Sequence, residues 1–153
     1  MSSEGAAFTV SPGFEDPFEA KNPKRLNKLT QRANRAAQAV VKIYKICPAS
    51  AWREAERQGV YSGSADDSRD GFIHFSTATQ VPETLRKHYF GQRALFLIEV
   101  DGDALGGELR WERSRNDELF PHLYGDLDLG AVLSVMNLNM RSDGGHDIPE
   151  LAP

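Results

Sequence analysis

The sequence has one cysteine, Cys47, in 153 residues. No disulfide can form within the chain, and a cysteine framework, an iron–sulfur cluster or a structural zinc knuckle has no basis. No stretch reaches the ~18 consecutive apolar residues of a membrane-spanning helix. The first residues, Met1-Ser2-Ser3-Glu4-Gly5, lack the basic start and apolar core of a secretory signal. These absences lead to the expectation of a cytoplasmic protein with no membrane partner. A phosphate loop is also missing, because Gly102, Gly106 and Gly107 stand without the lysine and following helix that such a loop needs. Ser76 has no glycine frame of the nucleophile-elbow kind, so a hydrolase triad is poorly motivated. There is no internal repeat and no low-complexity block.

Charge of one sign is scarce in two places. Residues 1–19 hold four acids and no base, and residues 20–42 hold seven bases and no acid. The net charge of −4 therefore conceals an acidic body that carries a basic arm. Residues 1–22, with Pro12, Pro17, Gly5 and Gly13 among scattered phenylalanines, read as an irregular leader. Residues 23–40 read as a basic helical arm, opened by Asn22 as cap and Pro23 at the first helical position. Its apolar stripe of Leu26, Leu29, Ala33, Ala36, Ala37 and Val40 is narrow and built of small residues.

Residues 41–140 read as a single α+β domain, followed by a loose tail over 141–153. Val41-Lys42-Ile43-Tyr44-Lys45-Ile46-Cys47 alternates and is β-branched, so it predicts a strand. Pro48 stops it. Ser50 is placed to cap a helix that runs to Gln58 and closes at Gly59, with Trp52 and Ala55 buried. Residues 63–71 read as a charged loop. Gly71-Phe72-Ile73-His74-Phe75-Ser76 predicts a second strand, and Thr77-Ala78-Thr79-Gln80 matches a capping box opening a helix to about Tyr89. Pro82 then falls in the first turn. The apolar run 94–100 predicts a central buried strand, residues 108–112 a further one, and residues 131–136 another buried one.

Chemistry concentrates in two segments. On the 71–76 strand, alternation places His74 and Ser76 on the face opposite Ile73 and Phe75. That face ends at Thr77 and a helix amino terminus, which suits an anion or a hydroxyl. The same residues also fit a histidine hydrogen-bonded inside the fold. Phe120-Pro121-His122-Leu123-Tyr124-Gly125 reads as a short loop with an imidazole and a phenol, and Glu118 stands two residues before it. His74, His122 and Glu118 or Asp117 lack the spacing of a metal site, so none is expected. Cys47, at the end of an apolar strand, reads as a buried packing residue. The basic residues between 21 and 42 could touch nucleic acid, but such a helix is more often solvated.

Ile43-Tyr44-Lys45, Trp52, Gly59-Val60-Tyr61, Asp70-Gly71-Phe72-Ile73-His74-Phe75-Ser76-Thr77, Gln80 and Leu119-Phe120-Pro121-His122-Leu123-Tyr124-Gly125 closely resemble the uncharacterised bacterial family called domain of unknown function 952, over about residues 42–138. That family in turn looks like a distant relative of the ADP-ribosyltransferase fold, and of its RNA 2′-phosphotransferases in particular. The resemblance implies small split antiparallel sheets with two or three short helices. It also implies a cleft for a small-molecule ligand, with nicotinamide adenine dinucleotide (NAD) or another nucleotide as the cofactor to consider. In that frame Lys45 supplies positive charge, while His74, Ser76 and Thr77 bond a ribose or phosphate. His122 and Tyr124 complete the pocket, Tyr124 by stacking. Glu118, with His74, is the candidate catalytic group, stabilising charge on a ribose carbon. Lys45 and Ile46 stand where the transferases carry a histidine and a glycine. A non-catalytic module that kept the cleft is therefore the alternative, and a glutathione-linked activity ranks last for want of a thioredoxin-like unit.

If the basic arm binds nucleic acid, its affinity will fall steeply with salt, because binding releases counterions. A filter-binding titration at several salt concentrations checks this, and salt-independent binding excludes that role.

Overall fold

The structure is a computed structural model that describes residues 40–151. The leader, all of the basic arm except Val40, and residues 152–153 lie outside the described residues.

Strand β1 (Lys42–Pro48) is buried along nearly its whole length because both of its faces are apolar. Ile43 and Cys47 point into a cluster with Trp52, Phe75 and Ile98. Tyr44 and Ile46 point into a second cluster with Val81, Leu85 and Leu97. Burying each such aliphatic side chain stabilises the fold by about 1.5–3 kcal/mol, and strand alternation lets β1 serve both clusters. Helix α1 (Ala49–Gln58) follows and closes at Gly59 in the left-handed conformation. Strand β2 (Val60–Tyr61), helix α2 (Ala65–Asp70), strand β3 (Ile73–His74) and helix α3 (Val81–His88) come next. Then come β4 (Leu95–Asp101), β5 (Leu109–Arg113), β6 (Leu119–Leu123), β7 (Leu127–Asp128) and β8 (Val132–Leu138).

The sheets are small and antiparallel, with strand orders β1-β4-β8, β2-β7 and β3-β6-β5. The α+β class is as the sequence predicts, and the apolar run is the central strand β4. β3 links two of the sheets. His74 pairs with His122 of β6, and two residues later Ser76 exchanges backbone hydrogen bonds of 2.8 and 2.9 Å with Tyr44 of β1.

Several elements depart from the sequence reading. Residues 63–71 contain α2, although their charge gives no apolar periodicity. Ser64 caps it, and Asp67 returns the bond to the Ser64 backbone. Residues 120–125 are mostly strand: β6 is the centre of its sheet despite Pro121. The Pro121 carbonyl accepts the Phe75 N–H at 3.0 Å, where β3 turns from β6 toward β1. The N–H that proline lacks is therefore not needed for a continuing ladder. Ser50 does not cap α1, which starts directly after Pro48. Thr77 does not cap α3 with its side chain. Residues 77–80 form a turn in which Gln80 Oε1 accepts the Thr77 N–H at 3.0 Å, and α3 begins at Val81 with Pro82 in its first turn. β8 is an edge strand whose outer face leaves Leu133 and Val135 exposed, so it is only half-buried. Residues 141–151, loose by composition, are pinned. The Arg141 N–H bonds the Gly145 carbonyl, buried His146 lies 2.7 Å from the Gln92 carbonyl, and Ile148 and Leu151 pack on the second cluster.

Gly63 holds the entry to α2 at φ +105°, and a Cβ there would stand 2.8 Å from Asp67 Cβ. Gly63→Ala is expected to destabilise the fold by about 1–3 kcal/mol through strain and overlap. Gly107→Ala, with open space around it, should stay within about 0.5 kcal/mol of wild type. Urea denaturation of both variants measures the contrast.

Candidate functional site

The site is organised around Asp67, a buried carboxylate on α2. The helix exists because Ser64 caps it, and its third residue is Asp67, which the cap turns inward. Oδ2 accepts the Ser64 N–H at 2.9 Å and lies 2.9 Å from Lys45 Nζ. Oδ1 lies 2.6 Å from His74 Nδ1 and accepts the His74 N–H at 3.2 Å. Burial pushes the Asp67 carboxyl up, but the His74 hydrogen bond, the Lys45 charge and the Ser64 N–H outweigh it. They hold the group well below the usual carboxylate range. Lys45 is 4% exposed on β1 and has Asp67 as its counter-charge.

His74 is partly exposed. Its Nε2 lies 3.0 Å from Asp70 Oδ2, so both ring nitrogens face carboxylate oxygens. The ring is thereby fixed at both ends. His122 lies directly across from His74 in the β3–β6 register, which places the two side chains on one sheet face with centroids 5.5 Å apart. His122 is buried, with Nδ1 2.8 Å from Glu112 Oε1. Tyr124 donates its hydroxyl to the same oxygen at 2.8 Å. The bonds from His122 and Tyr124 draw the Glu112 carboxyl down, and the bond to Glu112 pushes the Tyr124 phenol up. Phe72 stacks on His122 at 4.1 Å and contacts His74 at 4.6 Å.

A cleft of about 510 Å³ opens beside these groups, lined by Lys45, His74, Ser76 and His122 together with residues of α2 and α3. Four of the seven residues singled out from sequence thus meet. Thr77, Glu118 and Tyr124 do not line it. Thr77 Oγ1 pairs with Thr79 Oγ1 at 3.2 Å. Glu118 is exposed and accepts a 3.3 Å bond from Gln80 Nε2. Tyr124 is held by Glu112 and covered by the Arg110 guanidinium at 4.6 Å, away from any stacking role in the cleft. These three therefore lie outside the cleft: Thr77 is in the turn before α3, Glu118 precedes β6 and Tyr124 follows it. Lys45 lines the cleft but with its charge neutralised. Cys47 is fully buried, and burial raises its thiol, as befits a packing residue. Among the described residues no cluster of three metal-ligating side chains occurs, and no helix is long and apolar enough to cross a membrane.

Asp67, Glu112, Phe72 and Arg115, which also lines the cleft, escape the sequence reading. Only Asp67 had a local signal, the Ser64-Ala65-Asp66-Asp67 capping pattern. The others become visible through strand pairing.

Because Asp67 binds its proton more weakly in the folded chain, its stabilisation is full above the ordinary aspartate value of about 4. It is lost as pH falls through the lower folded value. Asp67→Asn leaves Lys45 buried without a counter-charge, so it should cost about 3–5 kcal/mol at neutral pH and flatten the acid limb of stability against pH. Denaturation curves across that pH range measure both, and a variant as stable as wild type would refute the assignment.

The comparisons agree with this architecture. The crystal structure of protein CC0527 from Caulobacter crescentus, a structural genomics target, is 42% identical and superposes with a TM-score of 0.68, covering 69% of this chain and 93% of that one. The solution NMR structure of the same protein, also 42% identical, gives 0.63 over 69% and 90%. The search of curated proteins finds no match. The family model described as a protein of unknown function (DUF952) matches residues 46–135, and the chain belongs to that family.

Proposed function

We propose that the cleft binds a nucleotide or another phosphorylated small molecule, as a non-catalytic module of ADP-ribosyltransferase-like ancestry. The observation that carries this reading is the meeting of His74, Ser76 and His122 in one cleft of about 510 Å³. That volume suits a small-molecule ligand, and a few convergent polar groups beside aromatic side chains are what such a site requires. His74 presents an imidazole oriented by Asp67 and Asp70. Tyr89 and Phe120 add apolar lining.

The binding role is preferred over transfer because Glu118, the carboxylate assigned to the ribosyl cation, stands outside the cleft. The acids within it are engaged: Asp67 with Lys45 and His74, Asp70 with His74, and Asp66 with Arg69. A carboxylate already held by fixed hydrogen-bond and ion-pair partners gains less from charge that develops only in a transition state.

A thermal-shift and calorimetric screen of the full chain against nucleotides, NAD and glutathione tests this. A phosphorylated ligand should raise the melting temperature. His74→Ala should weaken its binding by removing the imidazole that lines the cleft and fixes Asp70 beside it. Glu118→Gln should leave binding unchanged, and labelled NAD should release no nicotinamide. Nicotinamide release abolished by Glu118→Gln would restore the transfer reading. Stabilisation by glutathione alone would overturn both.

A further inference from the structure

The residues lining the cleft divide by charge. Those from α2 include Asp66, Asp67 and Asp70, with Arg69 paired to Asp66 and Asp70 and Lys45 of β1 paired to Asp67, whereas α3 and the segment before β6 contribute His88 and Arg115. Arg115 lies in a tight loop over residues 114–117. Asn116 at φ 58° and Asp117 at φ 60° are consecutive left-handed residues, and neither is glycine. Such a conformation persists only where surrounding contacts fix it. Here Ser114 N–H bonds the Glu118 carbonyl at 2.9 Å, Glu118 N–H bonds the Arg115 carbonyl at 3.1 Å, and Arg113 Nη1 donates to the Asp117 carbonyl at 2.8 Å.

The loop holds the Arg115 guanidinium 4.9 Å from the centre of the Phe120 ring, and Nη2 donates to Thr84 Oγ1 at 3.0 Å. Thr84 directs its own hydrogen to the Gln80 carbonyl at 3.0 Å, so the Ser76 hydroxyl 3.1 Å away donates to Thr84. Arg115 Nε is sealed from solvent without a hydrogen-bond partner among the described residues. The carboxylate paired with it, Glu83, stands at 3.9 Å and is shared with Arg86 and Lys87, each at 3.7 Å. One carboxylate thus faces three cations, which leaves positive charge uncompensated. No hydrogen bond or ion pair among the described residues joins Arg115 to an acid of α2. A planar guanidinium with unused N–H donors, an aromatic backing and excess charge suits an oxyanion.

We propose that Arg115 is the anion-reading residue of the cleft, taking a phosphate-type oxyanion on the remaining Nη N–H donors of its guanidinium, with the remainder of the ligand directed toward His74 and Asp70. This rests on the binding reading given above and adds the ligand's orientation.

Pyrophosphate titrated into the full chain tests it, followed by the NMR signals of arginine Nε–Hε groups. The Arg115 signal is identified by its loss in Arg115→Lys. In wild type that signal should move and saturate. Arg115→Gln should raise the pyrophosphate dissociation constant by about tenfold or more, and Arg115→Lys should do so partly. Arg53→Gln, which removes an exposed arginine over Phe96, should change nothing. No saturable movement of the Arg115 signal in folded wild type overturns the proposal, and so does undiminished affinity in Arg115→Gln. Nucleotide binding that ignores Arg115 would sink the proposal and leave the binding reading standing. Pyrophosphate bound at Arg115 with no phosphorylated small molecule accepted would do the reverse.

Discussion

The buried carboxylate of Asp67 is the interaction on which the rest of the described structure depends. It ties together β1 through Lys45, the start of α2 through Ser64, and β3 through both the ring and the backbone of His74. The Tyr44–Ser76 backbone pair and the His74–Asp70 contact also link these segments, but only Asp67 joins all three at one group. A lysine at the middle of a buried strand is tolerable only with a counter-charge at hydrogen-bond distance. That counter-charge in turn needs a helix turn to aim it and a glycine at position 63 to leave room for it. The contacts also exhaust the lone pairs of the carboxylate. Asp67 therefore orients groups and is not free to exchange a proton with a ligand.

The two histidines inherit different freedoms from this arrangement. Both are backed by a carboxylate, and both touch Phe72, which stacks on His122. His122 is closed in between Glu112 and Phe72, whereas His74 keeps an exposed edge toward Asp70. The imidazole buried in the sheet acts as a wall of the cleft, and its neighbour is the one that can meet a ligand.

Pattern made part of this legible. β1, α1 and β4 announce themselves through β-branched alternation, the stop at Gly59 and a continuous apolar run. The pairing of His74 and Ser76 on one face follows from strand periodicity alone. α2 is hidden because five of its six residues are polar or charged, and the signal lies in its cap, not in its period. β6 is hidden because proline argues against a central strand, and only the departure of β3 beside Pro121 removes the objection. The contact of Glu112 with His122 is hidden for a related reason. Glu112 lies on β5, where the register Arg110↔His122 and Glu112↔Phe120 decides which acid reaches the imidazole. A sequence read without its pairings cannot supply that register. Arg115 depends on two left-handed residues whose identities, Asn and Asp, permit that backbone without requiring it.

The segment from Ile73 to Ser76, paired with β6 at one end and bridged to β1 at the other, also bears on how the chain assembles. Asp67 and His74 are seven residues apart, so α2 and the start of β3 can find each other early. The partners of β3 are remote: Tyr44 lies on its one side and His122 on its other, each far along the chain. Closing such long loops costs entropy before any pairing returns it, and topologies of this kind fold slowly. The cleft is complete only when the segment from Ile73 to Ser76 has joined both β6 and β1.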